Sequence, residues 1–208
     1  MIRRNVITIS VVVGSALLVS SCTGNRTTPG TASTPTSSGS AATPTSDAPT
    51  VENPLPAKVL DGGPCGSALT ADQLSSFLGK TSPAKSSEDS LGNACGWTSA
   101  SGSGAAASVG YQTKSDQGIG LAFQSVKPTA ARWDNLDAIQ GYPAVGYVPS
   151  GVDPTDKRNC VVVVGISDKL AYSVSLTLGD RAASEGKDSC VIGRDIADAV
   201  MTNLKQRA

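Results

Sequence analysis

Four cysteines, Cys65, Cys95, Cys160 and Cys190, constrain the fold of this chain more than any other feature, because of what stands at its start. Arg3-Arg4 precede an apolar run from Val6 to Val19, and Ser20-Ser21 then lead to a fifth cysteine, Cys22. A basic start, a hydrophobic stretch and small residues together read as an export signal. Thiols in an exported domain tend to pair, so four of them predict two disulfides, with three connectivities open.

The segment Val19-Ser20-Ser21-Cys22 also resembles the bacterial lipobox. That resemblance implies removal of residues 1–21, acylation of Cys22 and a lipid anchor on the outer face of the cytoplasmic membrane. A permanent transmembrane helix is the poorer reading. A span needs about 20 mostly apolar residues, whereas this run is shorter and contains Thr8, Ser10, Gly14 and Ser15.

Charge and composition narrow the function. The 208 residues carry 17 basic and 17 acidic side chains, and loss of Arg3 and Arg4 with the leader makes the remainder slightly acidic. No basic stripe is left to neutralise a phosphate backbone, so nucleic acid is a poor partner. There is no histidine. Ser-His-Asp and Cys-His catalysis and His-ligated zinc or haem are therefore excluded.

The chain divides by composition. Residues 22–58 form a linker, of which residues 23–50 are almost wholly Thr, Ser, Pro, Gly and Ala. Such a stretch buries too little apolar surface to offset its ordering entropy, which predicts disorder. Residues 59–208 hold the large aliphatics and aromatics of one globular domain.

Within the domain, Leu69-Thr70-Ala71-Asp72-Gln73-Leu74 predicts a helix start, with Thr70 and Gln73 as a capping box and Leu69 and Leu74 as a hydrophobic staple. Gly79 suits its end. Residues 80–93 read as polar turns. Strands are expected from Cys95-Gly96-Trp97 and over residues 105–112, then a weak helix or irregular connection over 116–126. A turn at Gly141 enters a short strand, and residues 149–156 read as a loop. Residues 160–166 and 170–178 make a hairpin around Ser167-Asp168-Lys169. The alternation of Tyr172, Val174, Leu176 and Leu178 with small polar residues predicts one buried face and one wet face. Ile192, Ile196, Val200 and Leu204 then recur every fourth residue, the mark of an amphipathic helix packed on a sheet.

This pattern weighs the disulfide connectivities. The hairpin returns the chain beside Cys160 just before the last helix starts at Cys190, so these two should be neighbours. Cys65 is then left for Cys95. Each bridge is worth about 3.5 kcal/mol in the chain-entropy account. No Cys-x-x-Cys occurs, and zinc-ligand spacing is missing, so structural bridges outweigh a metal site.

A set of short motifs falls in a familiar order: Gly63-Pro64-Cys65, Leu69-Thr70 with Leu74 and Leu78-Gly79, Cys95-Gly96-Trp97, Gly141-Tyr142-Pro143-Ala144, Cys160-Val161-Val162-Val163, and Cys190 heading a helix with Ala197 and Leu204. It resembles the actinobacterial lipoprotein family known as domain of unknown function 3558. The resemblance covers nearly all of residues 61–204 and implies an envelope location and disulfides, with no activity and no catalytic residues to transfer. The layout also looks like the Mog1/PsbP-like group, an analogy of fold alone.

Motifs for chemistry are few. Asp153, Asp156 and Asp168 lack the Asp-x-Asp-x-Asp-Gly run of a calcium loop. Gly118-Ile119-Gly120 lacks the rest of a dinucleotide fingerprint. Ser67, Ser86 and Lys85 form no Ser-Lys catalytic motif. Trp97, beside a bridge, reads as core, whereas Trp133, Tyr142 and Tyr147 suggest a groove for a ligand or partner.

The expectation is an α+β domain, one antiparallel sheet carrying two main helices and two disulfides, displayed on a lipid-anchored stalk. Its expected work is non-enzymatic binding or sensing of another envelope protein or a small ligand, without metal or cofactor. The competing expectations are a glycan-processing hydrolase using paired carboxylates and an accessory lipoprotein with a flat apolar patch.

Overall fold

The computed structural model describes residues 47–155 and 157–208. Cys22 and its leader, Asp156 and the linker up to residue 46 lie outside the described residues.

Seven strands form a single antiparallel sheet: β1 (Lys85–Glu88), β2 (Asn93–Thr98), β3 (Ala106–Gln112), β4 (Arg132–Ile139), β5 (Tyr142–Val148), β6 (Asn159–Gly165) and β7 (Ala171–Thr177). Their order across the sheet is β1-β2-β3-β7-β6-β5-β4. The predicted β6–β7 hairpin therefore lies at the centre, and β1 and β4 are the edges.

Alternation assigns the two faces. Cys95, Val109, Val174, Val162 and Gly146 form one cross-strand row. On the same face lie Tyr111, Val164, Tyr172 and Leu176, all essentially out of water. Helix α1 (Ala71–Leu78) and helix α3 (Ser189–Lys205) close this face. The two main helices and the α+β sheet are as the sequence leads one to expect.

Helix α1 begins as its residues dictate. Thr70 Oγ1 accepts from the Gln73 amide at 3.2 Å, and Gln73 Oε1 accepts from the Thr70 amide at 2.8 Å. In α3, Gly193, Ile196, Ala197, Val200, Met201 and Leu204 are buried against the sheet. A methyl at Gly193 would lie 3.2 Å from Val162 Cγ2, so the missing side chain lets α3 settle closely on β6. Tyr172 completes this contact by donating its hydroxyl to the Ala197 carbonyl at 2.7 Å.

Both disulfides form as the hairpin argument predicts, Cys65–Cys95 and Cys160–Cys190, each with a sequence separation of 30. The first ties the entry of α1 to β2. The second ties central strand β6 to the first turn of α3.

Several elements differ from expectation. The polar stretch 80–93 contains edge strand β1, whose four residues are all exposed and so lack any alternation to read. Strand β4 begins at Arg132, well before the expected turn; its polar residues and the register shift between Leu136 and Ile139 hide the alternation. The β4–β5 connection is a two-residue turn in which Gln140 and Gly141 take φ of 52° and 91°. Positive φ at both central residues is the turn geometry that matches the right-handed twist of the paired strands. Gln140 is held there because its Nε2 donates to the Asp198 carbonyl and to Thr202 Oγ1 on α3. Pro143 is tolerated within β5 because the register shifts opposite it, between Leu136 and Ile139. The weak helix proposed over 116–126 is a single π-helical turn, Ala122–Val126. A short helix, α2 (Asp180–Ser184), was not foreseen.

The packed region also starts earlier than residue 59. Val51 is buried at 7% exposure; its amide donates to Asp168 Oδ1 at 3.1 Å, and the Leu55 amide donates to the Ile166 carbonyl at 2.8 Å. Two isolated aliphatics among prolines carry little periodic signal, yet they strap residues 51–55 to the β6–β7 turn.

Candidate functional site

The sheet face away from α1 and α3 has a different character. One row crosses all seven strands: Lys85, Gly96, Ser108, Ser175, Val161, Tyr147 and Trp133. The next contains Ser87, Ala94, Gly110, Ser173, Val163, Val145 and Asn135. The β1–β2–β3–β7 half is rich in small side chains, and the β6–β5–β4 half is apolar and aromatic.

At the apolar end, Trp133 and Tyr147 are direct cross-strand partners with centroids 6.3 Å apart and planes at 14°. Phe123, from the π-helical turn, meets Trp133 edge-on, with 5.2 Å between centroids and an interplanar angle of 75°. Lys127, just after that turn, places its ammonium 5.2 Å from the Phe123 ring and 5.8 Å from the Trp133 ring. Geometries of this kind add about 0.5–1.5 kcal/mol per aromatic pair. The indole Nε1 donates to Asn135 Oδ1 at 3.1 Å. Burial pushes the Tyr147 phenol above its ordinary pKa.

Ile119, Ala122, Val145, Val163 and Ala171 lie beneath this cluster as a small second core, with Ala48 packed at its margin. Trp133, Tyr147 and Phe123 keep part of their surface in water. The chemistry offered is stacking, apolar contact and one cation. The rows just named carry no carboxylate.

The three-residue groove expected from sequence therefore needs correction. Tyr142 does not join Trp133 and Tyr147. It faces the helices, at 7% exposure, within the main core beside Ile139 and Ala144. Period-two alternation along β5 could have revealed this, since Tyr142 and Tyr147 are an odd number of positions apart. Phe123 and Lys127 escaped notice because they come from a segment with no regular period. Trp97 is core, at 3% exposure.

The remaining motif residues act locally. Asp153 Oδ1 accepts from the Thr155 amide and hydroxyl, which hold its carboxyl below the usual range, while Asp168 anchors the Val51 amide. Ser67 donates to the Gly63 carbonyl at 2.6 Å and pairs with the Tyr111 hydroxyl at 2.8 Å. Arg132 lies half-buried at the start of β4. It pairs with Asp134 at 2.9 Å and Asp188 at 3.2 Å, and its Nη2 lies 2.9 Å from Cys190 Sγ.

The chain matches no curated protein and no solved structure. A family profile does match, over residues 17–203, and it takes in the whole sheet, both bridges and the aromatic cluster. On that match the chain belongs to the DUF3558 family, proteins of unknown function.

Proposed function

We propose that this chain is a lipoprotein, anchored through acylated Cys22 on the outer side of the cytoplasmic membrane, that binds or senses another envelope component without turning it over. The observation that carries the binding surface is the partly exposed Trp133–Tyr147–Phe123 cluster with Lys127, on a sheet face that neither main helix covers. Two disulfides support the exported setting, since such bridges persist in oxidising compartments. The family match begins upstream of Cys22, so the lipobox-like segment falls inside it.

Large, rigid aromatic side chains are typical anchors of protein interfaces. They also stack on sugar rings, and either partner is compatible with a face bearing one neighbouring cation. The hydrolase alternative calls for a carboxylate pair, and Glu185, an exposed residue just after α2, is held ionised. Hydrogen bonds from Arg181 and then Lys187 hold its carboxyl below the ordinary range, whereas a proton donor at neutral pH needs the opposite shift.

The test is a photocrosslinking amino acid at Lys127 in living cells. One captured species should disappear with Trp133→Ala and with Tyr147→Ala, while Tyr142→Phe leaves it in place. Capture indifferent to both aromatic deletions would remove the surface assignment. Mass spectrometry of the mature N-terminus checks the anchor, which an unmodified Cys22 would rule out.

A further inference from the structure

Away from the aromatic face, the helix side of the sheet holds a cavity of about 500 Å³ between α1, α2, the end of β7 and α3. Pockets of 300–1,000 Å³ are the usual size for small-molecule sites. Its apolar part is built by Phe77, Leu176, Leu178 and Ile192, from three elements fixed independently by capping, strand pairing and helix packing. Ser99 and Ser101 supply a hydroxyl edge, their oxygens 2.9 Å apart.

The charges at the rim decide what could enter. Arg181 and Lys187 both pair with Glu185, at 3.0 and 3.2 Å. The fourth charge is the carboxylate of Asp195 on α3. These exposed groups balance, two basic and two acidic, so the rim gives an ion of either sign no net attraction. An uncharged molecule leaves that balance undisturbed.

Helix α2 forms the outer wall through Arg181 and Ala182 and buries none of its own five residues. It is fastened at its start, where the Asp180 amide donates to the Ser103 carbonyl at 2.9 Å and Asp180 Oδ1 pairs with Arg158 at 2.8 Å. Beyond its end the chain is fastened again, where the Ser189 amide donates to the Lys157 carbonyl at 2.8 Å, so the wall is fixed on both sides.

We propose that this cavity binds an uncharged amphipathic small molecule, with its apolar body against Phe77, Leu176, Leu178 and Ile192 and a hydrogen-bonding group at Ser99 and Ser101. The site is separate from the aromatic face, and either could exist without the other.

The test uses the full chain and two photoreactive probes, a medium-chain alkyl diazirine alcohol and the matching carboxylate, with labelled peptides mapped by mass spectrometry. The alcohol should label peptides containing Phe77, Leu176 or Ile192 saturably, and at least about tenfold more than the carboxylate, a ratio equivalent to about 1.4 kcal/mol. Ala182→Phe, which fills the cavity from its wall, should lower that labelling by a similar factor while circular dichroism stays unchanged. Ile192→Trp serves the same purpose should Ala182→Phe fail to fold. Equal labelling by the carboxylate would overturn the ligand class. Labelling that does not saturate, that maps to Trp133 and Tyr147, or that survives a folded cavity-filling variant would overturn the site.

Discussion

The two faces of the one sheet share every strand and every ladder hydrogen bond, yet they differ in almost everything else. Toward α3, β7 presents Tyr172, Val174 and Leu176, each at 3% exposure or less; toward the other side it presents Ser173, Ser175 and Thr177, all partly in water. Burying a large side chain contributes roughly 1.5–3 kcal/mol, so stability is concentrated on the helix face. The open face contributes less, through the small aliphatic core beneath the aromatic cluster. What this teaches is a division of labour within single strands: one set of alternate residues holds the fold, and the other is free to be shaped for contact.

The contrast can be broken most directly on the two faces of β7. Tyr172→Ala should lower stability by about 3–5 kcal/mol, the range for deleting a buried aromatic, as read by urea unfolding. Next in size, joint replacement of Cys160 and Cys190 by Ala unfastens α3 from β6 and should remove about 3.5 kcal/mol. A much smaller loss would mean that the helix face is held by packing alone.

Tyr172→Phe refines the comparison. Burial, with smaller contributions from Asp198 and Tyr111, raises the Tyr172 phenol well above its ordinary pKa. In the unfolded chain it ionises near pH 10. The favoured neutral form therefore supports the fold fully below about pH 10, and that support drains away as pH climbs toward the folded value. Tyr172→Phe should lose about 1 kcal/mol at pH 7 for the missing bond to Ala197 and show a shallower alkaline decline in unfolding titrations. Tyr111 and Tyr147 shift in the same direction, so some decline should persist. Smallest of all, Ser175→Ala on the open face should stay within about 0.5 kcal/mol of the parent. An effect there approaching that of Tyr172→Ala would end the distinction between faces.

Sequence made the covered face legible and the open face only partly so. The spacing of Ile192, Ile196, Val200 and Leu204 and the alternation through β7 are periodic because burial is periodic, and both the helix-on-sheet layout and the disulfide connectivity followed from them. Strand β1 escaped because its four exposed residues have no apolar set to alternate, and β4 because the register shift between Leu136 and Ile139 breaks its alternation. Tyr142 was misplaced by treating neighbours in sequence as neighbours in space, when strand parity separates them. The cavity could not be read at all: Phe77, Leu176 and Ile192 lie far apart in the chain, and each taken alone looks like ordinary core.

The strap at residues 51–55 has a mechanical consequence. It joins the fold at the turn between β6 and β7, so tension arriving from the N-terminal side loads the two central strands rather than peeling an edge. Those strands also carry α3 and one sulfur of the second bridge. The cavity opens at the far end of β7, seven residues or roughly 20 Å along the strand from that point of attachment. A pull from the N-terminal side would thus enter the sheet at the β6–β7 turn, at the end of β7 remote from the mouth of the cavity.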